Sequence, residues 1–188
     1  MKNFLVLLIA SPFLVLSQIP TKDWQINSAS LAAPEGQRAG ATILGYNSEG
    51  ELVTLREGSN ELICLADDPN RDGFSASAYH KDLEPYMFRG RELVKEGKDF
   101  KERIAIREEE VKAGTLKMPE RALLYVLSGK INPDSKEIED QYLRFVVYIP
   151  YATAESTGLP LSPTVPGGPW IMDPGTHKAH IMINPPKN

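Results

Sequence analysis

Short apolar runs, cut by Gly/Asn/Ser turn clusters, stand on both sides of one pair of helix signatures, and this order constrains the fold more than any other feature. Ala41–Tyr46, Glu51–Arg56 and Glu61–Ala66 are separated by Asn47-Ser48-Glu49-Gly50 and Gly58-Ser59-Asn60. Such spacing predicts an antiparallel meander. Leu83, Tyr86, Met87, Gly90, Leu93 and Val94 then form one helical stripe, with Asp82 as the expected cap and Gly97 as the stop. Asp99 followed by Glu102 has the spacing of a capping box for a second helix, running to about Ala113. The charged face of that helix, with Arg103, Arg107, Glu108, Glu109 and Glu110, is expected to be solvated. Strands return at Ala122–Leu127, Tyr142–Tyr151 and Ala179–Ile183, with a polar loop at 128–140 and a Pro/Gly loop at 152–170. Strands, a helix pair and strands again describe an α+β fold: a mainly antiparallel sheet with the helix pair packed on one face.

The chain begins with Lys2 and the apolar run Phe4–Leu16, ending at Ser17. That run is shorter than the roughly 20 residues of a membrane span. It has the pattern of a signal peptide cleaved after Ser17, which predicts export to a periplasm or the medium and no stable membrane anchor after cleavage. Removal of Lys2 would take the formal charge from −4 to −5. This acidity argues against nucleic acid as a partner. The expected division is a signal peptide at 1–17, a docking leader at 18–37 anchored by Trp24 and Ile26, and a single α+β domain at 38–188. One cysteine excludes an internal disulfide. Cys64, within Leu62–Leu65, is expected to be a buried apolar residue.

Common enzyme signatures are missing: there is no GxSxG, HExxH, GxxxxGK[ST] or GxGxxG. Three groupings remain. Asp68, Asn70 and Asp72, followed by Gly73, match the first half of a calcium loop, but Tyr79 stands where a bidentate glutamate is expected. An Asx/Gly turn accounts for the same residues without metal. His80, Asp173, His177 and His180 offer nitrogen and carboxylate donors for a divalent metal, provided His177 sits in a turn. Separate structural roles are the alternative. Lastly, Arg144 and Tyr148 share one strand face, and His180 shares a face of the last strand with Met182. If the two faces coincide and the loop ending at Trp170 lies across them, a pocket results in which Arg144 receives an anion. A solvent-facing sheet surface is the plain alternative.

The stretches Leu55-Arg56-Glu57-Gly58-Ser59-Asn60, Cys64-Leu65-Ala66-Asp67, Tyr79-His80-Lys81-Asp82-Leu83-Glu84-Pro85, Phe88-Arg89-Gly90-Arg91-Glu92-Leu93, Pro169-Trp170-Ile171-Met172 and Ala179-His180-Ile181-Met182 resemble exported bacterial proteins with no assigned activity. The resemblance covers most of the mature chain. It implies an exported bacterial protein and draws attention to His80, Arg89, Arg91 and His180.

These readings lead to an expected exported, non-catalytic domain that binds a small molecule or another envelope protein through Arg144, Tyr148, Trp170 and His180. A metal-dependent, hydrolase-like enzyme using the histidines and a structural envelope protein stay open as alternatives.

Overall fold

The computed structural model describes residues 19–187. The expected signal peptide lies outside them. The elements in chain order are α1 (Lys22–Ser30), β1 (Thr42–Tyr46), β2 (Leu52–Arg56), β3 (Leu62–Leu65), β4 (Phe74–His80), α2 (Glu84–Lys95), α3 (Phe100–Lys112), β5 (Ala122–Ile131), β6 (Ile138–Tyr148), α4 (Ala154–Thr157), β7 (Trp170–Met172) and β8 (His180–Ile183). The eight strands form one open sheet in the order β2-β1-β3-β4-β5-β6-β8-β7. Every pair is antiparallel except β1 with β3. The protein is α+β with a mostly antiparallel sheet.

The parallel pair corrects the expected meander. After the β1–β2 hairpin the chain does not add β3 beside β2. It crosses the start of β1 and pairs β3 on the other side. The crossing is held by Ser59 and Asn60, whose backbone N–H groups donate to the Gly40 carbonyl at 2.7 and 2.9 Å. It also requires Gly58, because a Cβ there would stand 2.3 Å from the backbone nitrogen of Thr42.

Two elements depart from the sequence expectation for a common reason: small or polar residues face the core. The expected docking leader contains a helix, α1, and its Trp24 and Ile26 pack against the core as expected. Thr21 caps it by accepting from the Trp24 N–H at 3.3 Å. Its buried residues are Gln25, Ser28 and Ala29, so no apolar stripe announces it. The Gln25 amide acts as a spare peptide unit at the end of β1. Its Oε1 accepts from Tyr46 N at 2.7 Å, and its Nε2 donates to Tyr46 O at 2.9 Å. Likewise β4, a central strand, alternates Phe74, Ala76 and Ala78 toward the core with Ser75 and Ser77. β5 and β6 extend further than expected and turn at Asn132–Glu137, within the expected polar loop. The capping box of α3 is as expected, with Asp99 and Glu102 exchanging backbone hydrogen bonds at 2.9 and 2.8 Å.

Strand alternation divides the core in two. Ile43, Cys64, Phe74, Ala76, Ala78 and Leu127 form one cluster with Ala29, against which Trp24 packs. Cys64 is buried, and burial pushes its thiol pKa up to about 11. Tyr79, Leu124, Val146 and Met182 form the other cluster with Tyr86 of α2, and Val111 of α3, Tyr148 and Trp170 pack against it.

Candidate functional site: a buried histidine tie and the Arg144 face

The segment 173–180 between β7 and β8 carries two of the three histidines. Asp173 adopts a left-handed conformation, φ 52°, and its carboxylate pairs with Lys178 at 2.8 Å. The resulting turn delivers the fully buried His177 ring beneath α2 and α3. Nε2 of His177 lies 3.0 Å from the Tyr86 hydroxyl, and Nδ1 contacts the Glu108 carboxylate. A carboxylate accepts only, so Nδ1 carries the proton and Nε2 takes the hydrogen of Tyr86. Burial lowers the His177 pKa against the opposing pull of Glu108. Burial also raises that of Tyr86. The Glu108 carboxyl itself stays below its ordinary value. Its partial burial pushes the other way and is outweighed by hydrogen bonds from Lys112 and His177. The Arg107 guanidinium lies 4.2 Å from the centre of the Tyr86 ring, an approach allowed by Gly90 on α2.

Carboxylate, imidazole and hydroxyl in a row are a proton-relay arrangement. Here the hydroxyl end is closed off, since Tyr86 is 2% exposed. The row therefore acts as a polar tie between α2, α3 and the 173–180 turn. Sequence reading missed both partners of His177. Tyr86 read as part of an apolar stripe, and Glu108 as part of a solvated face. The latter is corrected: Glu108 faces a buried ring.

Tyr148 continues the cluster. Its ring centroid lies 6.1 Å from that of Tyr86 and 5.5 Å from that of His180. Tyr148 and His180 are opposite one another in the β6–β8 ladder, as are Val146 and Met182. Trp170 opposes Met182 in the β7–β8 ladder. Directly opposed residues share a face. The two strand faces therefore coincide, and Arg144, Tyr148, Trp170 and His180 stand on one side of the sheet. The His180 Nδ1–H donates to the Lys178 carbonyl at 2.7 Å, which leaves Nε2 as its basic nitrogen. Burial lowers this histidine's pKa as well.

At the other end of this face three buried polar atoms lack a hydrogen-bond partner among the described residues: Arg144 Nε, Trp170 Nε1 and Asn184 Oδ1. The β6–β8 ladder ends where Phe145 opposes Ile183, and Arg144 and Asn184 are the residues that adjoin this last pair. Val126 flanks Arg144 on the β5 side. Two acids earlier on β6 are already engaged: Asp140 pairs with Lys130 at 2.8 Å, and Glu139 accepts from Asn132 Nδ2 at 2.8 Å. The Pro/Gly loop reaches this end, where a Cβ on Gly167 would stand 3.1 Å from Pro186. A surface cleft of about 590 Å³ lies elsewhere, lined by Leu44, Leu52, Phe88 and Arg91 between β2 and α2.

The metal candidates do not assemble. Among the described residues no group of three or more His, Cys, Asp or Glu side chains is placed to hold a metal ion. His177 has both nitrogens engaged. His80 is on the opposite face from His180, because Tyr79 opposes Leu124 and places His80 beside Leu123, which opposes Val147. It borders a shallow cleft with Asp82, Leu123 and Val147. Asp68 Oδ1 accepts from the Asn70 N–H at 3.0 Å, an Asx turn, and Gly73 takes φ 83°. Asp72 stands exposed in the same turn. Arg89 pairs with Glu110 and Glu96 at 2.9 and 2.8 Å, tying α2 to α3, and Arg91 pairs with Glu84 at 2.5 Å. Comparison with known protein families, with curated proteins and with solved structures finds no match to this chain.

Proposed function

We propose that the chain is an exported, non-catalytic domain that binds a small anionic molecule at the Arg144 end of the β6–β8–β7 face. One observation carries the reading: Arg144 Nε on β6, Trp170 Nε1 on β7 and Asn184 Oδ1 just after β8 are buried and have no hydrogen-bond partner among the described residues. Each such group left unmatched costs on the order of 1–3 kcal/mol. An occupant that reaches these atoms relieves that cost. The Arg144 guanidinium, with no carboxylate partner among the described residues, selects an anion. In this reading the α2–α3 pair covers the same face of the sheet. The Glu108–His177–Tyr86 tie fixes the turn from which β8 departs. Export rests on the Lys2–Ser17 pattern, and among the described residues no helix is long and apolar enough to cross a membrane.

The test is thermal unfolding of the mature protein with millimolar carboxylates, phosphate or sulfate. A ligand that binds only the folded state raises the midpoint saturably. The reading requires such a rise for at least one anion class and its loss in Arg144→Gln. No rise with any anion, or a rise unchanged in that variant, defeats it.

A second reading, contact with another envelope protein, draws on the exposure of Phe88, Val94 and Phe100 on α2 and α3. Association of the mature protein in light scattering, abolished by Phe88→Ser, would favour it.

A further inference from the structure

The two edge strands of the sheet, β7 and β2, are finished differently. β7 spans only Trp170–Met172, follows Pro169, and ends where Asp173 turns left-handed before Pro174. The Pro/Gly loop also reaches it, since the Ile171 N–H donates to the Pro160 carbonyl at 3.0 Å. Short length, proline and a covering loop are devices that block edge pairing. β2 has none of them, and Leu52-Val53-Thr54-Leu55 holds no proline and no charge. The register identifies its free backbone groups. Tyr46 N and O are bonded to the Gln25 amide, and Leu44 O accepts from the Ala66 N–H at 2.8 Å, so both residues turn their peptide groups away from β2. Gly45 therefore faces β2, where it opposes Val53. Strand alternation then turns the N–H and C=O of Leu52 and Thr54 outward. No side chain or loop backbone among the described residues answers these four groups.

We infer that β2 pairs with the β2 strand of a second copy of this chain, antiparallel about a twofold axis at Val53. The free groups are their own complement in this register. Leu52 stands opposite the partner's Thr54, and Thr54 opposite the partner's Leu52, so all four groups on each strand are bonded. Centring the axis on Thr54 would instead oppose Glu51 to the partner's Glu57, a like-charge pair. Centring it on Leu52 would set Thr54 against Gly50, which lies in the hairpin turn with φ 76°. Directly opposed residues share a face. Leu52 and Thr54 both line the cleft beneath α2. The partner's Leu52 is therefore delivered into that cleft, against Leu44, Leu52 and Phe88, whose ring is 52% exposed. The same patch serves both copies, as an isologous contact requires. It lies at the opposite edge of the sheet from β7 and β8, so it stands independently of the anion site.

Sedimentation velocity of the mature protein from micromolar to millimolar concentration tests the inference. The expected result is a monomer–dimer equilibrium that Thr54→Pro abolishes. Proline at 54 removes an outward N–H that β1 does not use, which an edge strand tolerates. Cysteine cross-linking reads the register without relying on that variant. A non-hydrogen-bonded antiparallel pair holds its Cα atoms about 4.5 Å apart, within disulfide reach. Val53→Cys, oxidised with copper phenanthroline, is expected to give a disulfide-linked dimer. Glu51→Cys, which would oppose the partner's Leu55 and not its own copy, is expected to stay unlinked. Cys64 is buried and does not compete. A protein that is monomeric at every concentration overturns the inference, as does a dimer in which Val53→Cys links no faster than Glu51→Cys. Association that survives Thr54→Pro and is lost in Phe88→Ser places the contact on the helices and overturns it as well.

Discussion

The Tyr86 hydroxyl and the His177 ring meet over 3.0 Å across 91 residues of chain, and the hydrogen between them belongs to the tyrosine. That direction follows from the other side of the ring, where Glu108 can only accept. The contact makes a polar residue from a helix stripe and a histidine from a turn into parts of one buried tie.

Tyr86→Phe removes the hydroxyl and leaves His177 Nε2 buried without a donor. The expected loss is about 1–3 kcal/mol in urea unfolding. Tyr79→Phe is the comparison. Its hydroxyl donates to Glu84 at 2.6 Å, but Glu84 keeps Arg91 and part of its surface in water. That variant should lose only about 0.5–1.5 kcal/mol. Equal losses would mean that the His177 tie has no special weight.

Acid sensitivity should follow from the two histidines. Both have folded-state pKa values below the ordinary 6.5, with burial as the main cause. The unfolded chain then binds more protons than the folded one below pH 6.5, so stability falls as pH drops from 7 toward the folded values. Glu108, held below its ordinary 4.5, adds a second loss as pH falls below that value. Urea midpoints should decline between pH 7 and 5.5, and less so in His180→Gln. A flat profile over that window would contradict the burial of these rings.

Gly58→Ala probes the crossing that makes β1 and β3 parallel. The added methyl would stand 2.3 Å from backbone nitrogen and 2.6 Å from the Gly40 carbonyl oxygen, neither of which is the end of a flexible side chain. A loss of about 1–3 kcal/mol is expected. An unchanged midpoint would mean that the 57–60 segment runs elsewhere.

What the sequence disclosed depended on the range of the interaction. Alternation in 142–148 and 180–182 correctly sorted Arg144, Tyr148, His180 and Met182 by face, because side-chain direction is local. The Asp99–Glu102 box was equally local. α1 and β4 were missed because Gln25, Ser28, Ala76 and Ala78 give no apolar period. The placement of β3 was missed because periodicity says nothing of which neighbour a strand chooses. Glu108 was misread because its partner lies 69 residues away. Asn184 gave no signal, since it lies just beyond the last residue of β8.

The two tryptophans make the central claim directly measurable. Trp24 Nε1–H already donates to the Lys136 carbonyl at 3.0 Å, whereas Trp170 Nε1–H has no partner among the described residues. In a ¹H–¹⁵N spectrum, with the two indole signals assigned through Trp170→Phe, acetate, phosphate and sulfate are each added stepwise. The account predicts that the Trp170 signal shifts saturably with at least one of them, the Trp24 signal stays in place, and neither moves in Arg144→Gln. A Trp170 signal unmoved by all three anions would contradict it.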